Sequence, residues 1–506
     1  MTVPLNTERQ QFKDAFAQAK AEGRQLAPLI HTTAILEELD PLTVYRNICA
    51  YDPDNACIME SATHDGTKER FSYVCVRGSE LFLIREKKHV GWLKEMLHKY
   101  SPPAHPVLPF TGGACGYLSH ELITLIEPTV PLHVHDTFGL PLGALYFFTD
   151  LIVFDHEQGE MHYVANVRMF DNKSAEEAYR DGCRQISELE RMATRPSDVL
   201  RVSALIGPIQ SNMTREEYHV MVLRAKEHIA AGDVFQVVLS QRFSTPYETG
   251  RLEEYGLPLY EKLRELNPSP YMFHMRFGHT MNYLTLLGAS PEIAVHIADG
   301  KMRVRPIAGT RKRGRNPEED RHLAEELRND PKELAEHRML VDLARNDIGR
   351  FCKADSIEIP ELMEVEPYSH VMHITSKVTG ELRDGVHPLD AALGALPAGT
   401  LSGAPKVRAL QIIAELEKSR RGPYGGACGW MTDTAVDLCI FIRSAMLQND
   451  ILYWQSGGGI VADSEPESEY QESLSKARAI ETALKKIGKH WTNYERKTEY
   501  TSRGCY

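Results

Sequence analysis

An α+β protein built on mainly antiparallel sheet, with helices packed outside it, is the fold class this sequence predicts, and three observations carry the expectation. Hairpin signals recur: Asp299-Gly300 joins one strand candidate, Ile293 to Ile297, with another, Lys301 to Pro306, and Asn449-Asp450 joins Val436 to Leu447 with Ile451 to Gln455. Hairpins outnumber βαβ units, which favours antiparallel over parallel pairing. The chain has 506 residues, 42% hydrophobic and 25% charged, so it has the composition of a globular protein and the length to bury a sizeable core.

Taken in order, residues 1–200 read as helix, then short strands with turn signals, then helix again from Ala175 to Arg191. The stretch from Thr194 to Asp198, Thr-Arg-Pro-Ser-Asp, interrupts that periodicity and sets the main boundary between residues 1–200 and 201–490. The second part opens with a capping box, Thr214-x-x-Glu217, followed by apolar residues at helical spacing from Tyr218 to Ile229. Gly232-Asp233 ends that helix, and the β-branched run from Val234 to Leu239 predicts a strand. A further strand is expected from Tyr283 to Leu287, and long helices around Leu334 to Arg350 and from Pro466 onward. Gly112-Gly-Ala-Cys-Gly-Tyr117 and Gly425-Gly-Ala-Cys-Gly-Trp430 repeat one pattern, read as two glycine-kinked strands rather than a duplication. The polar tail 491–506 has no periodicity and no assigned role.

Charge and cysteine usage narrow the function classes. A formal net charge of −12 disfavours nucleic acid as a partner. The longest apolar stretch, from Leu142 to Phe154, is interrupted by Thr149 and Asp150 and is too short to span a bilayer, and the polar start lacks a secretory h-region, so a cytoplasmic protein is expected. Nine cysteines without a C-x-x-C pair imply neither a zinc site nor a disulfide framework.

Several residues need a chemical reason for their placement. Strand alternation from Val436 to Ala445 sets Arg443 in an apolar strand, where it needs an anion, either a structural carboxylate or a ligand. Glu336 and Asp347 share the apolar stripe of their helix and each needs a cation; Asp347 has Arg345 and Arg350 nearby, whereas Glu336 has no equally good local partner and is the better metal or acid–base candidate. Glu472 and Glu469 project off the stripe of the last helix, towards solvent or the wall of a cleft. Gly457-Gly458-Gly459, after a strand, is a place where amides can approach an anion. Thr310-Arg-Lys-Arg-Gly-Arg315 is either a solvated loop or a steering patch, and His373 is either a satisfied core histidine or a catalytic one.

Four motifs in order, Pro306-Ile-Ala-Gly-Thr310, the run from Glu336 to Asp347, Gly399-Thr-Leu-Ser-Gly-Ala-Pro-Lys406 and Tyr424-Gly-Gly-Ala427, resemble the chorismate-utilising enzymes. Within that family the chain is most similar to the anthranilate synthase component I branch, across residues 30–488. The resemblance implies a sandwich of two large, mainly antiparallel sheets with helices outside and the active site in a cleft between halves. It implies that Glu336 and Glu472 hold Mg²⁺, and that Gly309, Thr310, Tyr424, Arg443 and Gly457, Gly458 and Gly459 bind chorismate. By the same resemblance Glu292 is the general acid, His373 serves the loss of pyruvate, and Thr400 and Lys406 belong to the catalytic set. Sister enzymes that add water carry a lysine where this chain has Gln236, and those that add ammonia at C4 commonly carry one where it has Ala308. The implied activity is conversion of chorismate and ammonia to anthranilate and pyruvate, at the entry to tryptophan biosynthesis. The alternatives are an aminodeoxychorismate or aminodeoxyisochorismate synthase, or a non-catalytic amino-acid-binding paralogue. Glu60, Ser61, Pro270, Tyr271 and Met272 resemble the tryptophan-binding segments of feedback-inhibited members, with Arg70, Cys428, Trp430 and Cys439 as weaker candidates for the same pocket. No cysteine sits in a Gly-x-Cys-x-Gly turn, so a separate glutamine amidotransferase small subunit (component II) is expected, in a hetero-oligomer for which a heterotetramer is one form.

Overall fold

The computed structural model describes residues 5–52, 54–62, 70–169, 173–195, 204–249, 255–368 and 371–490. The expected boundary at residue 200 and the tail 491–506 fall outside these residues. The sheet forks at the long strand Gly143–Asp155, which pairs with both Phe71–Ile84 and Gly113–Leu118. One arm runs from Phe71–Ile84 through Cys57–Glu60, Tyr271–Phe277, Leu284–Ser290, Ser444–Gln448 and Ile451–Ile460 to Gln236–Glu248. The other runs from Gly113–Leu118 through Ala427–Met431, Val436–Ile440, Ile293–Ala298 and Lys301–Val304 to Val371–Glu381. That last strand also pairs with Ile307–Lys312 and Glu358–Pro367. All of these ladders are antiparallel; the parallel pairing among the described residues joins Gly488–His490 to Ala204–Ile206.

The arms pack face to face over a core that includes Phe110, Tyr117, Phe148, Phe273, Phe277 and Trp430. Helices Pro41–Tyr51, Ala175–Thr194, Leu257–Leu266 and Pro466–Ile487 cover the outer face of the first arm. Lys87–Tyr100, Pro331–Gly349 and Pro388–Ala395 cover the second. The two-sheet architecture expected from the sequence is therefore the one observed. Strands before and after residue 200 hydrogen-bond directly, Cys57–Glu60 with Tyr271–Phe277 and Gly113–Leu118 with Ala427–Met431. The second of these ladders aligns the two copies of the glycine repeat, with Gly429 opposite Gly116. No helix among the described residues is long and apolar enough to cross a membrane.

Local signals account for most boundaries. The capping box at Thr214 forms both of its bonds and starts helix Arg215–Ala230. Asp299 and Asn449-Asp450 take positive φ, as two-residue hairpin turns require. Two expectations fail. The run from Val436 to Leu447 is not one strand: it breaks after Ile440 and resumes at Ser444, with Arg443 at φ +48° in the break. The triple glycine does not follow a strand but lies inside one, paired with Ser240, Leu239 and Val238. Glycine is needed there because a Cβ on Gly457 would meet the Leu239 carbonyl oxygen at 1.9 Å.

Candidate active site

The break at Arg443 and the glycine strand belong together. Ala445 pairs with Trp454, so a continued register would set Arg443 opposite Ser456, beside the glycines. The left-handed turn instead removes Arg443 from the ladder, so strand alternation no longer sets its direction. Desolvation lowers its pKa, and it forms no ion pair among the described residues, although Glu292 and Tyr368 act on it through space. The structural salt bridge that would have satisfied it is absent among those residues. An enclosed guanidinium with no carboxylate of its own fits a ligand anion.

Glu292 sits immediately before strand Ile293–Ala298 and is only 7% exposed. Burial raises its pKa to about 8, against the opposing pull of the Thr400 hydroxyl, Lys476 and Arg443. Thr400, in the short helix Gly399–Ser402, donates to Glu292 Oε1 at 2.8 Å. A carboxyl that keeps its proton near neutrality is poised as an acid.

Glu336 projects from helix Pro331–Gly349 and accepts from Gln236 Nε2 at 3.0 Å. Its pKa is raised, first by desolvation, with Glu333 and Glu472 adding repulsion. Glu472 is half exposed, and it lines the glycine strand: a Cβ on Gly458 would meet Glu469 Oε2 at 3.0 Å and Glu472 Oε1 at 3.4 Å. Glu472 and Glu469 therefore lie against the glycine strand. Lys476, one turn on, pairs with Glu472 at 2.7 Å and donates to the Gly457 carbonyl at 3.0 Å. Gln236 Oε1 is buried and has no hydrogen-bond partner among the described residues, and a Cβ on Gly459 would meet its Nε2 at 2.4 Å. Among the described residues no group of three or more His, Cys, Asp or Glu is placed to hold a metal. Two mutually repelling carboxylates fit only a cation that takes its remaining oxygens from water and substrate, which is the habit of Mg²⁺.

His373 Nδ1 lies 3.0 Å from both the Gly309 carbonyl and the Thr310 hydroxyl. The carbonyl can only accept, so Nδ1 carries a proton. Tyr424 is buried, with the guanidinium of Arg421 5.7 Å from its ring centre.

Other residues are occupied elsewhere. Lys406 is buried, donating to Asp347 at 2.7 Å and to the Ala395 carbonyl at 3.0 Å. Asp347 is therefore structural as expected, but its partner is Lys406; Arg345 approaches Asp342 and Arg350 reaches Glu127. In the basic run, Arg311, Arg313 and Arg315 pair with carboxylates of the following helices, which leaves an ordinary surface rather than a free steering patch.

A second site lies between the arms, a cavity of about 540 Å³. Met272 pairs with Glu60 in the ladder, and Ser61 Oγ donates to the Pro270 carbonyl, so all five residues expected of the regulatory segments line one space. Arg70, Cys428, Trp430 and Cys439 line it too. Glu60 is held bidentate by Arg264, both contacts at 2.9 Å, and accepts from Tyr260 at 2.6 Å.

Sequence reasoning missed three residues. Lys476 was signalled by its spacing of four from Glu472. Arg421, buried and spending its guanidinium on Glu417, His120 and the carbonyls of Leu401 and Val238, carried no local signal. Asp437, in the cavity wall, was hidden in an apolar strand.

The sequence model for chorismate binding enzymes matches residues 44–482. The chain is 40% identical to anthranilate synthase component 1 of Geobacillus stearothermophilus over 93% of its length and 96% of that protein. The crystal structure of anthranilate synthase component I from Streptococcus pneumoniae TIGR4 covers 81% of this chain with a TM-score of 0.71 and 35% identity, over 92% of its own length. The menaquinone-specific isochorismate synthase of Escherichia coli, at 17% identity, shares the fold with a TM-score of 0.69 over 93% of this chain and 98% of its own.

Proposed function

This chain belongs to the chorismate-binding enzyme family, and from that premise we propose that it is the large subunit of an anthranilate synthase, forming anthranilate and pyruvate from chorismate and ammonia. The observation that carries the choice of nucleophile is Gln236, whose amide is tied to Glu336. A carboxamide cannot take a proton from water, whereas ammonia is a nucleophile as soon as it is unprotonated. Ala308 offers no amine for covalent attack, which favours direct addition.

In this reading Arg443 and the amides along Gly457, Gly458 and Gly459 take the carboxylates of chorismate. Glu292, oriented by Thr400, gives its proton to the departing hydroxyl, and Arg443 nearby stabilises the carboxylate that remains. His373, when neutral and so with its lone pair on Nε2, accepts the ring proton as pyruvate leaves. Glu336 and Glu472 would hold Mg²⁺, which when bound offsets the charge of the substrate's ring carboxylate. Lys406 has a structural occupation and takes no chemical step. The cavity at Glu60 and Ser61 is read as a tryptophan feedback site, and a separate glutamine amidotransferase as the ammonia source. Entry to tryptophan biosynthesis and a cytoplasmic location follow from the same reading.

The test is direct. Purified chain with chorismate, Mg²⁺ and an ammonium salt at mildly alkaline pH should develop anthranilate fluorescence and stoichiometric pyruvate, and glutamine alone should give neither. Isochorismate or 4-amino-4-deoxychorismate as the main product would overturn the reading of Gln236 and Ala308.

A further inference from the structure

Arg421 bonds to parts of the chain that are far apart in sequence. It is 2% exposed and lies between helix Lys406–Leu416 and the Tyr424-Gly-Gly-Ala427 motif. Its Nε donates to Glu417 Oε2 at 2.9 Å and its Nη2 to Glu417 Oε1 at 2.6 Å. Nη2 also donates to the Val238 carbonyl at 2.7 Å, and Nη1 to the Leu401 carbonyl at 2.7 Å and to His120 Nε2 at 3.2 Å. All five N–H groups of the guanidinium are spent within the fold, so Arg421 has no donor left for a substrate.

Part of this set belongs to a sheet edge. Strand Gln236–Glu248 pairs with the two-residue strand Gly403–Ala404 only at Val237 and Gln236. Further along, the Val238 carbonyl is taken by Arg421, and the Ser240 amide and hydroxyl by Glu417 Oε1 at 2.9 and 2.7 Å. The ion pair thus satisfies backbone groups where the short strand stops. Val238 and Ser240 are also the residues that face Gly459 and Gly457 across the neighbouring ladder. The guanidinium is therefore anchored to the strand that lies beside the glycines.

The remaining contact, to Leu401, reaches the acid. Leu401 lies in helix Gly399–Ser402, a single turn, which is too short to sustain itself. Carbonyls at the C-terminal end of a helix have no partner inside it and favour a cation, and Arg421 supplies both the donor and the charge. Thr400, the residue before Leu401, donates its hydroxyl to Glu292 Oε1 at 2.8 Å. We propose that Arg421 is a positioning residue for the reaction: it fixes the one-turn helix against the sheet edge and so keeps the Thr400 hydroxyl on the carboxyl of Glu292. The proposal rests on Glu292 as the acid in the reading above and names the residue that orients it through another.

The charges that act on Glu292 are Lys476 and Arg443, and Glu292 in turn acts on Tyr368. The hydrogen bonds of Arg421 go to none of these, so its route to Glu292 runs through Leu401 and Thr400. Lysine cannot take its place. A compact ammonium with three donors can answer the charge of Glu417 but cannot bridge to the carbonyls of Leu401 and Val238 at once. The Thr400 hydroxyl favours the ionised form of Glu292, so releasing it moves the loss of the acid's proton to higher pH.

Profiles of kcat against pH at constant free ammonia, for the parent, Arg421→Lys, Thr400→Val and the double variant, test the assignment, with circular dichroism reporting the fold. Arg421→Lys should lower kcat about 10- to 100-fold, the cost of a misplaced catalytic group, and move the high-pH limb upward. In the Thr400→Val background the same substitution should leave the limb where Thr400→Val alone puts it, because the contact is already gone. A residue that only holds the fold would lower activity in both backgrounds and leave the limb in place. If Arg421→Lys does not fold, Glu417→Gln takes its place: it keeps the shape of the side chain but offers the guanidinium one acceptor instead of two, and it should move the limb the same way. A limb that stays put in the folded variant, or that moves as far again in the Thr400→Val background, overturns the proposal, while anthranilate formed by the parent upholds the reading of the site. A parent whose kcat does not fall with rising pH removes Glu292 as the acid, and the proposal with it.

Discussion

The candidate active site and the cavity between the arms both hold charged residues, but they handle charge differently. In the candidate site Arg443 has no carboxylate partner among the described residues, Glu292 holds its proton to about pH 8, and Glu336 is repelled by Glu472, which is itself paired with Lys476. In the cavity most charges are matched: Glu60 by Arg264, Arg70 by Asp155, Arg305 by Glu366. The contrast separates charged groups that lack a full partner among the described residues from groups paired within the fold. By the same criterion the buried pairs Lys406–Asp347 and Arg421–Glu417 are architectural although they lie close to the cleft in sequence motifs.

Removing charge where it is uncompensated should therefore cost most. Glu336→Gln is expected to lower turnover at limiting Mg²⁺ about 100-fold or more, since outer-sphere changes alone cost 10–100-fold and this removes an anionic ligand. A Mg²⁺ titration of initial rates checks it. Glu472→Gln should also lower it, by less because Lys476 already offsets part of that charge, and full activity at limiting Mg²⁺ would return Glu472 to an ordinary solvated face. Arg443→Lys comes next, with chorismate KM rising about 10–100-fold, or roughly 1.5–3 kcal/mol, because one ammonium cannot reproduce a bidentate contact. A KM within twofold of the parent would mean that Arg443 meets no carboxylate.

How much of this was legible in sequence depended on whether the cause was local. The hairpin turns at Asp299 and Asn449-Asp450 and the capping box at Thr214 act within a few residues, and they stand where the pattern puts them. Period-two alternation carried Arg443 into a strand because nothing adjacent announces a left-handed residue; the kink reflects the packing of two ladders that meet there. Asp347 was matched to neighbouring arginines because its partner, Lys406, is 59 residues away. The depth of Glu292 and the approach of Glu472 to the glycine strand are tertiary properties, so those residues were identifiable only through the motif resemblance and not through periodicity.

A smaller effect should come from the proton on Glu292. Below about pH 8 the carboxyl is protonated and can donate; above it the proton is lost, so kcat at constant free ammonia should fall as pH rises through that value. The Thr400 hydroxyl favours the ionised form, so Thr400→Val should move this limb to higher pH while lowering kcat modestly through lost orientation. A pH–rate profile with free ammonia held constant reads both changes. A limb that moves to lower pH in the Val variant would remove Glu292 from the role of acid.

The least disturbance to chemistry is expected from the matched region. Ser61 donates to the Pro270 carbonyl, a contact between the end of strand Cys57–Glu60 and the start of strand Tyr271–Phe277, at the edge of the cavity. Ser61→Phe puts a ring into the cavity without touching any cleft residue described above, so ammonia-dependent kcat and the chorismate KM should stay within about twofold, as expected for a substitution remote from the reacting atoms. Tryptophan inhibition should weaken, because the ligand loses volume it needs in order to favour one arrangement of the arms, a coupling of typically ~1–3 kcal/mol or about 5–150-fold in affinity. Tryptophan titrations at low and high chorismate, parent against variant, measure this directly. Unchanged inhibition would move the regulatory ligand out of this cavity. A large fall in turnover with no change in inhibition would mean that the matched charges between the arms, and not only the unmatched ones in the cleft, take part in the reaction.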